Sequence, residues 1–212
     1  MSKVLGTVTS TSSATATGTY GTIGTGGDES KITATTELGS VVLLVFQMIL
    51  DDPDVDQTAK FRFTVDGGTG DNPSELACFS DSDFDRAGST RLIWAVDGLT
   101  AASHVFRVEW ELIQSTPSTN TARQRSFQVI ELTDATLKVD ISDTDVVADP
   151  ATWGDLHSST FEVASSSLHL LIFNSSAGDT AESCSEYRFA IADTLDGPIT
   201  STDCNDPLEN DR

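Results

Sequence analysis

The densest chemistry in this chain is acidic. Asp81-Ser-Asp-Phe-Asp85 sets carboxylates at alternate positions, and Asp51, Asp52, Asp54 and Asp56 crowd a second short stretch around Pro53. Carboxylates gathered on a tight loop are the hard oxygen ligands that Ca²⁺ takes. Asp81, Asp83 and Asp85, with Asp51, Asp54 and Asp56, are therefore the candidate metal ligands, and Ca²⁺ is the one candidate cofactor. Neither stretch is an EF-hand. Counted from Asp81, the sixth position is Arg86 where that loop needs Gly, and the twelfth is Leu92 where it needs Glu. Full coordination needs several converging oxygens, so solvated loop acids are the default reading. Thermal stabilisation by calcium that a chelator reverses is the check.

Other chemistries lack their patterns. His104, His157 and His169 have no metal-ligand spacing to one another or to a cysteine. His104 begins a strand pattern and His169 sits within an apolar run, where a structurally satisfied imidazole is expected. Ser, His and Asp are all present, but no Gly-x-Ser-x-Gly elbow presents a nucleophile. No phosphate-cradling or dinucleotide-binding glycine loop occurs, and glycosidase carboxylate pairs are set by the fold and not by spacing. The sequence reads as non-enzymatic. Trp94, Trp110 and Trp153 would make a sugar platform if exposed, but Trp94 and Trp110 fall on the apolar parity of their strands, which places them in the core.

Charge excludes whole classes of partner. Across 212 residues the formal net charge is −21. Such a surface repels phosphate backbones and anionic lipid, so neither nucleic-acid binding nor membrane insertion is expected. Twenty-three Asp and ten Glu face four Lys and eight Arg. Excess Asp with scarce Lys is the pattern of halophilic proteins, which work where salt screens self-repulsion. Three cysteines are too few for a disulfide framework in a chain of this length. Cys184 and Cys204 could pair, leaving Cys78 free, but small buried thiols are the simpler reading. No signal peptide is evident, and the longest apolar run, residues 41–50, is too short to span a bilayer. Release by lysis, as virion parts are released, accommodates an extracellular protein with no such signal.

The elements that must carry these residues are strands. Phe61, Phe63 and Val65 alternate with polar neighbours, as do Leu92, Trp94 and Val96, and Phe106, Val108, Trp110 and Leu112. Residues 41–50 are apolar at both parities, which suits a strand covered on both faces. In Ser126-Phe-Gln-Val-Ile-Glu-Leu132 the apolar parity switches after Val129, and a bulge there would reconcile it. Leu137, Val139 and Ile141 alternate once more. Residues 115–124 are polar, contain Pro117 and read as a long hairpin loop. Short strands between turn clusters imply an all-β antiparallel sandwich or jelly roll.

The apolar stretch also occurs twice. Residues 40–47 and 167–174 share Ser-(Val/Leu)-x-Leu-Leu-(Val/Ile)-Phe-(Gln/Asn), and Phe61-Arg-Phe-Thr-Val65 matches Tyr187-Arg-Phe-Ala-Ile191. Tyr20-Gly-Thr-Ile23 likewise matches Trp153-Gly-Asp-Leu156. Shared order implies a partial duplication. The expected organisation is an extended N-terminal arm at 1–29, anchored first by Tyr20 and Ile23, a first sandwich at 30–143, and a partial second module at 144–212. The second module repeats the first half of the first, and its unfinished edge is expected to be completed by neighbouring structure.

Leu99-Thr-Ala-Ala-Ser-His-Val-Phe-Arg-Val-Glu-Trp110, followed by Ser126-Phe-Gln-Val-Ile-Glu-Leu132, resembles the C-terminal half of jelly-roll modules in tailed-phage and archaeal-virus virion surface proteins. Those modules carry Leu-x-x-Gly-x-His-x-(Val/Phe)-x-(Leu/Val)-x-Trp, then a polar loop and a strand ending Val-Ile-Glu-Leu. This chain departs at Ala102, where the pattern has Gly. The resemblance covers residues 39–132. It implies an oligomeric, often trimeric, β module in capsid decoration, a turret, a tail or a fibre. The partners it implies are copies of the chain itself and other virion proteins, with a cell-surface glycan or receptor for host attachment. A carbohydrate- or receptor-binding module of a secreted or surface protein is the rival reading.

Overall fold

Alternating apolar and polar residues favour extended chain with one dry face, and the period-two runs fold in this way. A computed structural model of the chain describes residues 2–15, 19–51, 57–68, 76–80, 88–112 and 121–138, with Thr160, Leu170, Ile172 and four short strands beyond. In chain order the strands are β1 (Ser2–Ser10), β2 (Ala14–Thr15), β3 (Gly21–Thr22), β4 (Lys31–Thr35), β5 (Val41–Asp51), β6 (Gln57–Val65), β7 (Leu76–Ser80), β8 (Gly88–Val96), β9 (Ser103–Leu112) and β10 (Thr121–Leu132). A single 3-10 turn covers Gly26–Asp28, and no α-helix occurs among the described residues.

These strands form two five-stranded sheets. One has the order β1-β10-β5-β8, with β2 also on β10; the other has the order β3-β9-β6-β7, with β4 also on β9. Every pairing is antiparallel. Apart from the two-residue strands, β1 pairs with β10, β4 with β9, β5 with β8 and β6 with β7, so first meets last and the order closes inward. The inner faces join in one core. Val42, Leu44, Phe46 and Met48 of β5, Leu92 and Trp94 of β8, and Phe127 and Val129 of β10 meet Ile32, Phe61, Phe63, Phe106, Val108 and Trp110 of the second sheet. Phe63 links the layers: its ring lies 5.8 Å from Trp94 and 6.3 Å from Phe127, centroid to centroid. The described strands β1–β10 make an all-β antiparallel sandwich. Trp94 and Trp110 are core residues, so neither is a sugar platform.

Residues 41–50 are indeed covered on both sides. Val41 and Leu43 face outward from the core and cluster with Ala95, against Ile130, Leu132, Ala135, Leu137 and Ile172. That second cluster also accounts for the parity of β10. Phe127 and Val129 face the core while Ile130 and Leu132 face the outer cluster, and β10 stays in register with β5 there. The irregularity near Val129 falls on the neighbouring strand: Val4 of β1 faces Ile130 and Gly6 faces Val129, which leaves one extra residue in β1. A second bulge lies earlier in β10, where Arg123 faces Ile49 and Ser126 faces Gln47, which inserts one extra residue in β10. The strand also begins at Thr121, inside what reads as loop.

The N-terminal residues are part of the sandwich. β1 pairs along β10 from Ser2 to Ser10, Leu5 and Val8 pack on the core, and Ile23 is fully buried. β-branched Thr and Val suit a pleated edge strand despite low overall hydrophobicity. At Gly6 a Cβ would lie 2.6 Å from Ile32 Cγ2, so only glycine admits this approach of β1 to β4.

The chain divides into two compact units, Met1–Ile141 with Phe161–Ser176, and Ser142–Thr160 with Ala177–Arg212. Within the repeated stretch 167–174 only Leu170 and Ile172 are described; Leu170 is exposed, and Ile172 packs in the outer cluster. In the second unit β11 (Glu186–Tyr187) pairs with β14 (Thr200–Ser201), and β12 (Ala190–Ile191) with β13 (Thr194–Leu195).

Candidate functional site

The acidic stretches fall mostly outside the described residues: Asp81, Asp83 and Asp85 do, as do Asp52, Asp54 and Asp56. Asp51 ends β5, its backbone opposite Thr121. Among the described residues no three His, Cys, Asp or Glu side chains group as metal ligands. His157, His169, Trp153, Cys184 and Cys204 also lie outside the described residues.

His104, at the start of β9, has both ring nitrogens engaged. Nδ1 is 2.7 Å from Asp66 Oδ2 and Nε2 is 3.0 Å from the Thr100 carbonyl oxygen. Asp66 sits just past β6 with φ 51°, and its Oδ1 accepts from Val105 N at 2.8 Å. Two acceptors on one imidazole favour its doubly protonated form. The Asp66 carboxylate, then the Thr100 carbonyl, raise the His104 pKa; the same bond to His104, then the Val105 amide, lower that of Asp66. With neither nitrogen spare for a nucleophile, the pair fastens turns together. Thr36 Oγ1 donates to the same Thr100 carbonyl at 2.8 Å, which adds the β4–β5 crossover to this cluster.

Glu131 is the second pin and was not legible in the sequence. It shares the core-facing parity of Phe127 and Val129 and is fully buried. Its Oε1 accepts from Glu37 N at 2.6 Å and lies 2.8 Å from Ser40 Oγ. His104 and Glu131, the polar members of the motif pattern, therefore both secure loops at one end of the sandwich.

The opposite end of β10 holds a cleft. The extra residue at the bulge places Gln124 in the left-handed region, φ 47°. Facing it, the chain leaves β1 after Ser10 and rejoins β10 only at Ala14, so residues 11–13 stand off the sheet. The two interruptions coincide and open a space of about 610 Å³ lined by Thr9, Ser10, Thr11, Ser12, Asp28, Gln124, Arg125 and Ser126. Arg125 keeps the core-facing parity and is 3% exposed. Nη1 donates to the Ala122 carbonyl and Nη2 to the Asp28 carbonyl, each at 3.2 Å. Nε has no hydrogen-bond partner among the described residues. Burial lowers the guanidinium's pKa, and the Asp28 charge opposes that shift. Gly24, φ 89°, closes the turn beneath: a Cβ there would strike the Asp28 carbonyl and lie 2.9 Å from Arg125 Nη2. Such a cleft can take a polar ligand that both accepts and donates hydrogen bonds. Its only sequence signal is Arg123-Gln-Arg125, whose first two residues end the stretch 115–124 that reads as loop.

Among the described residues no helix is long and apolar enough to cross a membrane. No protein-family model and no curated protein matches this chain.

Proposed function

We propose that this chain is a non-enzymatic virion structural protein, a capsid decoration, turret or tail/fibre component that assembles on the particle surface and contributes to host attachment. The observation that carries this reading is the strand order. Pairing of first with last and so inward is what results when one long hairpin rolls into a two-layered jelly roll. The residues of the motif fall on β9 and β10 and act there as core and loop pins, which is consistent with a scaffold pattern. Assembly uses strand edges, β1 and β8 being the outer long strands of the first sheet. Partners are further copies of the chain, as a trimer, and other virion proteins. The high negative charge fits a protein bathed in salt, and the loop aspartates 81, 83 and 85, with 51, 54 and 56, are offered as calcium ligands.

Purified chain should elute with the mass of a trimer by light scattering in molar salt, and peptides of it should appear in purified virions from its source. A stable, monodisperse monomer absent from particles would overturn the proposal. The Arg125 cleft favours a second reading, a carbohydrate- or receptor-binding module. Binding to a glycan array without particle association would select it.

A further inference from the structure

We infer that the cleft at the β10 bulge binds a carboxylate carried on a polyhydroxylated scaffold, a uronic-acid sugar. The inference deepens the attachment and glycan-binding readings and rests on them for its biological sense, though not for its chemistry.

The lining selects the ligand class. Thr9, Ser10, Thr11, Ser12 and Ser126 bring hydroxyls and Gln124 brings an amide, groups that both donate and accept; among the described residues no wholly aliphatic or aromatic side chain lines the space. That composition suits sugar hydroxyls. Ser10 is itself buried, and its Oγ accepts from Ser12 N at 3.1 Å, which holds the 10–12 segment against the opening.

Arg125 selects the charge. Its two bonds to main-chain carbonyls fix the guanidinium plane but bring no counter-charge, and no ion pair to it is formed among the described residues. A buried cation without a bonded anion is costly, and a carboxylate entering the cleft would supply a bonded anion where only the Asp28 charge now acts on the guanidinium. The ligand's charge is limited as well. Asp28 lines the same space, and the chain carries −21 overall, so a dianion such as a phosphate monoester meets about twice the repulsion that a monoanion does. The backbone points the same way: a non-glycine residue in the left-handed region at a bulge is a costly conformation, retained here where it puts an amide at the rim of the opening.

The test uses the full chain and three probes in physiological salt: methyl glucuronide, methyl glucoside, which has the same ring without the carboxylate, and glucose 6-sulfate. A fourteen-atom sugar at ordinary ligand efficiency should bind with Kd of about 1 mM. NMR titration should shift backbone amides at 9–12 and 124–126, with the glucoside weaker by about tenfold or more, the worth of a hydrogen bond to a charged group. Arg125→Lys should lose that discrimination. If Arg125→Lys fails to fold, Ser12→Ala and Gln124→Gly, both at exposed positions, carry the test by weakening glucuronide binding several-fold at a melting temperature no lower than the parent's, the glycine relieving the backbone at 124. Equal binding of glucuronide and glucoside, preference for the sulfate, shifts elsewhere on the chain, or no binding at ten times the expected Kd would each overturn the inference. None of these outcomes touches the trimer mass or virion association that test the particle reading.

Discussion

Replacing Glu131 with alanine should loosen the crossover that carries the chain from one sheet to the other. β4 lies in the second sheet and β5 in the first, and residues 36–40 between them are held to β10 by the Glu131 carboxyl. The magnitude follows from what the substitution strands. The Glu37 amide, on an exposed residue, loses its acceptor, a net hydrogen bond of about 0.5–1.5 kcal/mol. Ser40 loses less, because its single hydroxyl proton can turn to the Glu37 carbonyl 2.9 Å away. The removed side-chain atoms leave a void in a fully buried position, while the cost of burying the carboxyl itself disappears and offsets part of the loss. The balance is a destabilisation of about 3 kcal/mol, or roughly 6–12 °C in melting temperature for a chain of this size. Glu131→Gln keeps an acceptor at Oε1 and should cost about 1 kcal/mol, the difference between a charged and a neutral hydrogen bond. The assay is urea unfolding followed by tryptophan fluorescence, since Trp94 and Trp110 lie in the core of the same unit. A double-mutant cycle with Ser40→Ala isolates the pair and should return a coupling of about 1 kcal/mol. A cost for Glu131→Ala below about 1 kcal/mol, or strict additivity with Ser40→Ala, would refute the clamp.

Three further outcomes are expected. The His104–Asp66 pair makes stability depend on pH: with the His104 pKa raised above its ordinary 6.5, its contribution is complete below pH 6.5 and is lost as pH rises through the raised folded value. Asp66, lowered from 3.8, contributes fully above pH 3.8 and fails only as pH falls through its lowered value, so the pair supports the fold best between those limits. Unfolding free energy should therefore decline from pH 6 towards alkaline pH, and Asp66→Asn should flatten that decline; a parent profile already flat across this range would contradict the bond. Phe63→Ala removes the ring that bridges Trp94 and Phe127 and should cost about 3–5 kcal/mol, read as a melting-temperature drop of roughly 6–20 °C. Raising NaCl from 0.15 to 1 M shortens the screening length from about 8 to about 3 Å, so a chain of charge −21 should melt several degrees higher; an unchanged melting temperature would remove the argument from self-repulsion.

Local pattern carried much of the architecture. Alternation in 61–65, 92–96 and 106–112 marked strands and their inner faces, because a pleated strand assigns faces by residue parity alone. The uniform apolarity of 41–50 marked a strand covered twice over, and Trp94 and Trp110 were legible as core for the same reason. His104 was readable as a structural imidazole, although its partner Asp66, thirty-eight residues earlier, was not. What stayed hidden depends on which strands become neighbours. The Ser- and Thr-rich start of the chain looks like a loose arm until β10, more than a hundred residues later, offers its edge to Ser2–Ser10. Glu131 and Arg125 both lie on the inward parity of β10, where charge is improbable from composition; distant turns satisfy part of each, Glu37 and Ser40 on Glu131 Oε1 and the Asp28 carbonyl on Arg125 Nη2, while Glu131 Oε2 and Arg125 Nε have no partner among the described residues. The bulge that opens the cleft is a mismatch of one residue between β10 and β5. Such a mismatch belongs to a pair of strands and not to either one, so no single stretch of sequence can display it.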